Sequence, residues 1–404
     1  MTTPADDVAG REEERSHEDH GTRMGMMLAR AADEPEGRPP IPSRVALVLG
    51  GGGLKGFAHL GVLRALSEYG IAPSVYAGTS IGALIAAAWT GGMSVEEMAR
   101  RAHSLRKRDL FRLNLGMVIE RMQTPSLYHG EPLRALCATT CPSCTFRELG
   151  VPLLVNTVDI ERGTRVVWGL PGLQDVSIED AVYASCALPG SFPPGVVGGR
   201  YCVDGGTIDN LPAAIAAVGA DAVIAVDVGS SELTPAGDAV PLGFAAIYMR
   251  AATVMMHALQ QSPLAEWRAP PMLLIRPHLG DYHWFSFTNA TEFIQAGYDA
   301  ACSALDQVGD ALTSEGGVYP RRLVELSVDR DRCIGCTMCT ALAPTLMAMD
   351  DTGKAYPTTP VVQWSPADGD FVEHCPTRAI IARTVGEAGG RARHEDRRMD
   401  AAGD

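Results

Sequence analysis

The feature that most constrains this chain is a short apolar strand running straight into a glycine turn and then an apolar helix, a pattern that occurs twice. Val45 to Leu49 is a β-branched, apolar run with the character of a buried strand. Gly50 to Gly53 follow, and Leu54 to Tyr69 then sets Leu60, Leu63 and Leu66 on one helical stripe that Gly70 stops. Val75 to Ala77 repeats the pattern, with the next helix beginning at Ser80. Further strand signals lie at Val151 to Val158, Val166 to Trp168, Ala222 to Val228 and Met272 to Ile275, with helical patterns between several of them. One helix is expected to begin at Ser177, with Asp180 three residues on as its capping partner. Strands alternating with helices predict an α/β domain with a mostly parallel sheet.

A chain of 404 residues holds two or three domains at about 150 residues each. Residues 1–43 carry charge, Gly and Pro with little apolar periodicity, and read as a disordered acidic segment. The α/β domain is expected over residues 44–312, closing after a helical stretch that contains Glu292 to Leu305. A linker over 313–322, a compact cysteine segment over 323–383 and a disordered tail over 384–404 complete the reading, with no repeat of solenoid period. Asp and Glu outnumber Lys and Arg by 48 to 34, which argues against broad nucleic-acid binding. The apolar run Ile81 to Trp89 is half the roughly 18 residues a membrane span needs, and no signal-peptide core stands out. The expected location is the cytoplasm, with the inner face of the membrane as a further option. Ten cysteines in that setting suggest metal ligands or buried thiols before disulfides.

Three glycine-rich patterns carry the chemistry. Gly78-Thr79-Ser80-Ile81-Gly82 fits G-x-S-x-G, in which a serine sits on a strained strand-to-helix turn and flanking glycines lift its hydroxyl clear. The helix that follows would aim its positive end at charge developing beside Ser80. Gly51-Gly52-Gly53-Leu54-Lys55-Gly56 matches G-x-G-x-x-G, but a dinucleotide turn wants an acidic residue about twenty positions on. Ile71-Ala72-Pro73-Ser74-Val75 offers none, so no nucleotide cofactor is expected. An oxyanion hole formed by Gly51, Gly52 and Gly53 is the favoured reading, and a plain tight turn is the other. One such donor stabilises a transition state by about 3 kcal/mol. The third pattern, Asp204-Gly205-Gly206, follows a strand at Tyr201-Cys202-Val203; alone it would read as an Asx-turn.

Taken in this order, the glycine loop, G-T-S-I-G and D-G-G resemble the patatin-like phospholipases, over roughly residues 44–312. Ala187 to Pro194, Asp209-Asn210-Leu211-Pro212, Phe285-Ser286-Phe287 and Ala296-Gly297-Tyr298 extend the likeness to bacterial members. The resemblance implies a three-layer α/β fold and a Ser-Asp dyad that cleaves fatty-acyl esters of lipids. Ser80 would be the nucleophile and Asp204 its proton acceptor, with no histidine between. A carboxylate of ordinary pKa, about 3.9, is a poor base for a hydroxyl, so the site must be dry enough to raise it. His59 reads as a packing residue. Lys55 either helps hold the loop or a phosphate, or is solvated.

Near the end, Cys333-Ile334-Gly335-Cys336-Thr337-Met338-Cys339 is followed at a distance by Cys375-Pro376. Three thiolates from one tight loop and a fourth from a remote Cys-Pro suit a cubane iron–sulfur cluster. Zinc, with His374 as a possible ligand, is the weaker alternative because it usually takes separated pairs. Val328 to Ile380 resembles single-cluster bacterial ferredoxins, which implies a small α+β domain. Ala343 stands before Pro344, where two-cluster ferredoxins carry a cysteine, so one [4Fe-4S] cluster is expected. Its role is open between electron transfer to a redox partner, oxidation sensing and a structural staple. A redox protein that uses an inert hydrolase fold as a scaffold is the alternative to an enzyme.

Two weaker features remain. Cys137, Cys141 and Cys144 have C-x3-C-x2-C spacing; a cysteine loop without metal is the first reading and a second metal site the alternative. Arg100, Arg101, Arg106, Lys107, Arg108 and Arg112, interleaved with Leu105, Leu110 and Phe111, form either a solvated face or a contact for anionic lipid headgroups.

Overall fold

The computed structural model describes residues 40–114, 126–229, 244–280, 282, 285–314 and 316–385. The expected N-terminal segment and tail therefore fall, apart from a few residues, outside the described residues.

The first domain is an α/β sandwich. In chain order its main elements are β1 (Val45–Leu49), α1 (Ala58–Glu68), β2 (Val75–Thr79), α2 (Ile81–Thr90), α3 (Val95–Ser104), α4 (Lys107–Leu110) and α5 (Glu131–Thr140). β3 (Leu153–Asp159), β4 (Thr164–Trp168), α6 (Ile178–Cys186), β5 (Gly195–Val197), β6 (Arg200–Asp204), α7 (Ala213–Ala216) and β7 (Ala222–Val226) follow. α8 (Phe244–Ala265), β8 (Met272–Ile275), α9 (Ala290–Val308) and β9 (Val318–Tyr319) complete it. The nine strands form one sheet in the order β5-β6-β3-β2-β1-β7-β8-β9, with β4 on the other side of β3. The pairs from β3 through β2, β1, β7 and β8 to β9 are parallel, and β4, β5 and β6 pair antiparallel.

Alternation along the central strands separates two cores. Val45, Leu47 and Leu49 of β1 face one core with residues of α1, α2, α5, α6 and α9, while Ala46 and Val48 face the other with Ala213, Ala216 and Leu264. β7 divides likewise, Ile224 to the first and Val223 to the second. A strand covered on both faces has to be apolar at every position, which is why these strands read as unbroken hydrophobic runs.

Two expectations need correction. The segment 313–322 is not a bare linker: β9 lies within it and pairs parallel with β8. The edge of β8 would otherwise leave its backbone groups open to pairing, and β9 covers them. The cysteines at 137 and 141 do not lie in a loop. Cys137 is on α5 and Cys141 caps its end, and both pack into the larger core.

The second domain spans β10 (Arg322–Val328), α10 (Met338–Leu342), β11 (Met347–Met349), β12 (Ala355–Pro357), β13 (Val361–Trp364), α11 (Asp370–Glu373) and β14 (Ile380–Thr384). β13, β10 and β14 form an antiparallel sheet, and β11 and β12 a separate hairpin. Its core is small, with Val324, Leu326, Met347, Trp364, Phe371 and Ile380 packed around Cys333 and Cys339. Ser365 Oγ donates to Val318 O (3.0 Å) and Arg276 Nη1 to Pro366 O (2.6 Å), tying this domain to the sheet edge.

Candidate active site

Strand register brings the serine and the aspartate together. β3 pairs with β2 as far as Thr79, opposite Asn156, and with the end of β6 at Asp204, opposite Thr157. β2 and β6 run toward each other along the same strand, so their C-terminal ends meet at adjacent residues of β3. Ser80 follows β2 directly and Asp204 ends β6.

Ser80 has φ 54° and ψ −125°, a left-handed backbone that a non-glycine residue rarely adopts, and it stands at the N-terminus of α2 without capping it. The turn is tight because α2 crosses the end of β1: a Cβ on Gly82 would lie 2.0 Å from Leu49 O. Ser80 N–H donates to Ser185 Oγ (2.9 Å), and Ser185 Oγ donates to Asn156 O (2.7 Å), fixing the turn from the α6 side.

Asp204 is 3% exposed. Burial pushes its carboxyl up to about 6, against the opposing pull of the Gly206 N–H and the Ser80 hydroxyl. Gly206 N donates to Asp204 Oδ1 at 2.8 Å. If Asp204 acts as the base it must be ionised, so kcat/KM is expected to fall about tenfold per pH unit below a midpoint near 6. A flat profile from pH 5 to 8 would contradict this.

The glycine loop faces the same space. Gly51, Gly52, Gly53, Ser80, Asp204 and Asn210 line a cavity of about 40 Å³. Gly51 N–H already donates to Asn210 O at 3.3 Å. This takes Gly51 out of the expected set of three donors and leaves Gly52 and Gly53 as the candidates. A larger space of about 120 Å³ opens from Gly53 and Ser80 between α2, α3 and α5, walled by apolar residues such as Leu84, Ile85, Met98, Leu133 and Phe192.

His59 supports the loop from behind. It is fully buried, its Nε2 lies 2.8 Å from Gly50 O, and burial holds the ring down to about 4, so it is neutral near pH 7. Lys55 is 1% exposed and so is not a solvated lysine. Sequence reasoning missed Ser185 and Cys186, whose thiol burial pushes well above the usual range and whose position is beside Ser80.

In the second domain Cys333, Cys336, Cys339 and Cys375 line one cavity of about 20 Å³, and His374 is not among its walls. The tight loop curls through two left-handed residues, Gly335 (φ 69°) and Thr337 (φ 63°), and a Cβ on Gly335 would lie 2.4 Å from Gly353 O. Ala355 N donates to Cys333 Sγ (3.4 Å) and Ala379 N to Cys375 Sγ (3.2 Å). Burial alone would raise the Cys375 thiol, but the N–H groups of Ala379 and Thr377 and the Thr377 hydroxyl bring it below its ordinary value. Four thiols around one void, with amides aimed at sulfur, fit a thiolate-held cluster. Among the described residues no group of three or more His, Cys, Asp or Glu side chains is arranged to hold a metal ion, neither Cys137, Cys141 and Cys144 nor these four cysteines with their side chains as they stand.

Residues 47–217 match the family of patatin-like phospholipases, and residues 326–382 match the 4Fe-4S single cluster domain. The chain joins a patatin-like phospholipase domain to a 4Fe-4S single-cluster domain. The patatin-like part is similar to an uncharacterized NTE family protein of Mycobacterium tuberculosis, 36% identical over 199 residues that make up 49% of this chain and 52% of that protein. Patatin-like phospholipase domain-containing protein 7 of Rattus norvegicus is 29% identical over 290 residues, 65% of this chain and 20% of that one. The chain thus spans about half the length of the mycobacterial relative and a fifth of the rat one. Among solved structures, VipD from Legionella pneumophila aligns over 69% of this chain and 72% of its own at 15% identity, with a TM-score of 0.37. Among the described residues of the patatin-like and cluster domains, no helix is long and apolar enough to cross a membrane.

Proposed function

We propose that the patatin-like domain hydrolyses fatty-acyl esters of phospholipids or lysophospholipids through Ser80 and Asp204. One observation carries the reading: Ser80 stands on a left-handed turn, between a buried aspartate of raised pKa and an apolar cavity suited to an acyl chain. Ser80 Oγ attacks the ester carbonyl as Asp204 takes its proton. The Gly52 and Gly53 N–H groups and the positive end of α2 receive the negative charge on the carbonyl oxygen. Asp204 returns the proton to the leaving alcohol, and water then releases the acid from Ser80.

Cys333, Cys336, Cys339 and Cys375 would hold one [4Fe-4S] cluster, which when bound supplies one-electron chemistry and cross-links the small domain. Exposed Arg106, Lys107, Arg108 and Arg112 surround Leu105, Leu110 and Phe111, which wall the apolar cavity. That arrangement supports contact with an anionic lipid surface, with the cavity turned toward the bilayer.

Lysophospholipid in mixed vesicles tests the reading. The native protein is expected to release free fatty acid, read by mass spectrometry, faster as anionic lipid content rises, and Ser80→Ala none. Equal release by Ser80→Ala would defeat the dyad, and release indifferent to anionic lipid would defeat the membrane contact.

A further inference from the structure

Asn210 stands in the turn after Asp204 and is 5% exposed. It holds Gly51 twice: Gly51 N–H donates to Asn210 O (3.3 Å), and Asn210 Nδ2 donates to Gly51 O (3.0 Å). A carbonyl only accepts, so the second bond assigns Nδ2 to the Gly51 carbonyl and leaves Oδ1 beside the Gly51 Cα, where a Cβ would lie 2.4 Å from it and 3.3 Å from Ser80 Cβ. Oδ1 is buried and accepts no hydrogen bond from any described residue, although Asn210 lines the cavity that holds Ser80 and Asp204. A buried acceptor left unmet is costly, and this one belongs to a residue that walls the space shared by Ser80 and Asp204.

The position of Oδ1 narrows what it would accept. A Cβ built on Gly206 would stand 2.9 Å from Asn210 Oδ1 and 3.1 Å from Asp204 Oδ1. That point is at bonding distance from the Gly206 Cα and is no seat for water, but it places the two acceptor oxygens on one side of Gly206, close enough together for one water between them, with the flexible end of Met256 beside them.

We propose that Asn210 is a catalytic residue of deacylation, holding with Asp204 the water that frees the acyl group from Ser80. The inference rests on the Ser80–Asp204 reading above. The Ser80 hydroxyl has one hydrogen, so acylation needs one acceptor, Asp204. Water has two. As the water oxygen attacks the acyl carbon, one hydrogen passes to Asp204 and the other is held by Asn210 Oδ1, which aims the attacking lone pair. The bond between Ser80 Oγ and the acyl carbon then breaks, Ser80 recovers the proton from Asp204, and the free acid leaves.

Methanol separates this role from a structural one, because it brings a single hydroxyl hydrogen and needs only Asp204. With p-nitrophenyl butyrate in aqueous methanol, the ratio of methyl ester to free acid reports how the acyl-enzyme divides between the two nucleophiles. Asn210→Ala is expected to raise that ratio about tenfold, the weight of one lost hydrogen bond, and to convert a linear time course into a burst. Asn210→Asp keeps an acceptor oxygen but loses the donor to Gly51, and is expected to keep the ratio close to the native value while turning over more slowly. If Asn210 does no more than brace Gly51, both variants slow both products alike and the ratio does not move; that result overturns the proposal. A tenfold rise in Asn210→Asp overturns it as well. Native protein that forms no acyl-enzyme at Ser80 would instead defeat the hydrolase reading on which this rests.

Discussion

Asp204→Asn is expected to lose ester hydrolysis by about a thousandfold or more while making the protein more stable at neutral pH. The loss follows from the removal of the carboxylate beside Ser80 that takes its proton in this reading. The gain follows from linkage. Burial lifts the folded-state pKa from 3.8 to about 6, so above pH 6 the ion is present in both states and the buried one is disfavoured. At about 1.4 kcal/mol per pKa unit, a neutral amide in its place would stabilise the fold by up to about 3 kcal/mol. An asparagine oxygen can still accept the Gly206 N–H. The advantage should be full above pH 6, shrink as the native carboxyl protonates, and vanish below 3.8, where it is neutral in both states. Thermal unfolding of both proteins at pH 8 and pH 4 reads the effect. A variant that is active, or no more stable at pH 8 than at pH 4 relative to the native chain, would contradict the assignment.

Removal of iron is expected to unfold the domain of residues 322–385 and leave the α/β domain folded. Its core holds few large side chains, and two of its buried members, Cys333 and Cys339, are themselves cluster ligands in this reading. A domain of this size rarely stands on so small a core, and metal binding then becomes part of its folding free energy. Anaerobically purified protein should carry about four irons per chain and a brown colour. Chelation, or Cys375→Ser, should discharge the iron and open this domain to limited proteolysis. One zinc per chain with no iron, or an equally protease-resistant apo domain, would contradict this account.

Much of the scaffold was legible in the sequence because it rests on local patterns. Met272–Ile275 is a strand with the expected ends, Ser177 caps its helix as expected, and Ser80 sits where strand gives way to helix. What escaped depends on residues far apart in the chain. Ser185 meets Ser80 across 105 positions and Asn210 meets Gly51 across 159, and neither contact leaves a periodicity to read. A second bond between these residues, Gly51 N–H to Asn210 O, is equally silent in the sequence, because a backbone carbonyl is an acceptor that any residue could supply. β9 was hidden by its length of two residues and its glycine-rich flank, and it became a strand only because the edge of β8 was there to pair with.

The most direct test is the site of covalent capture. Treated with a fluorophosphonate and digested, the native protein is predicted to carry one adduct, on the peptide containing Ser80. Ser80→Ala should carry none, and acid pH should slow labelling with the midpoint near 6 given for Asp204. An unmodified Ser80 in protein that still cleaves esters, or an adduct on another residue that survives Ser80→Ala, would contradict the account.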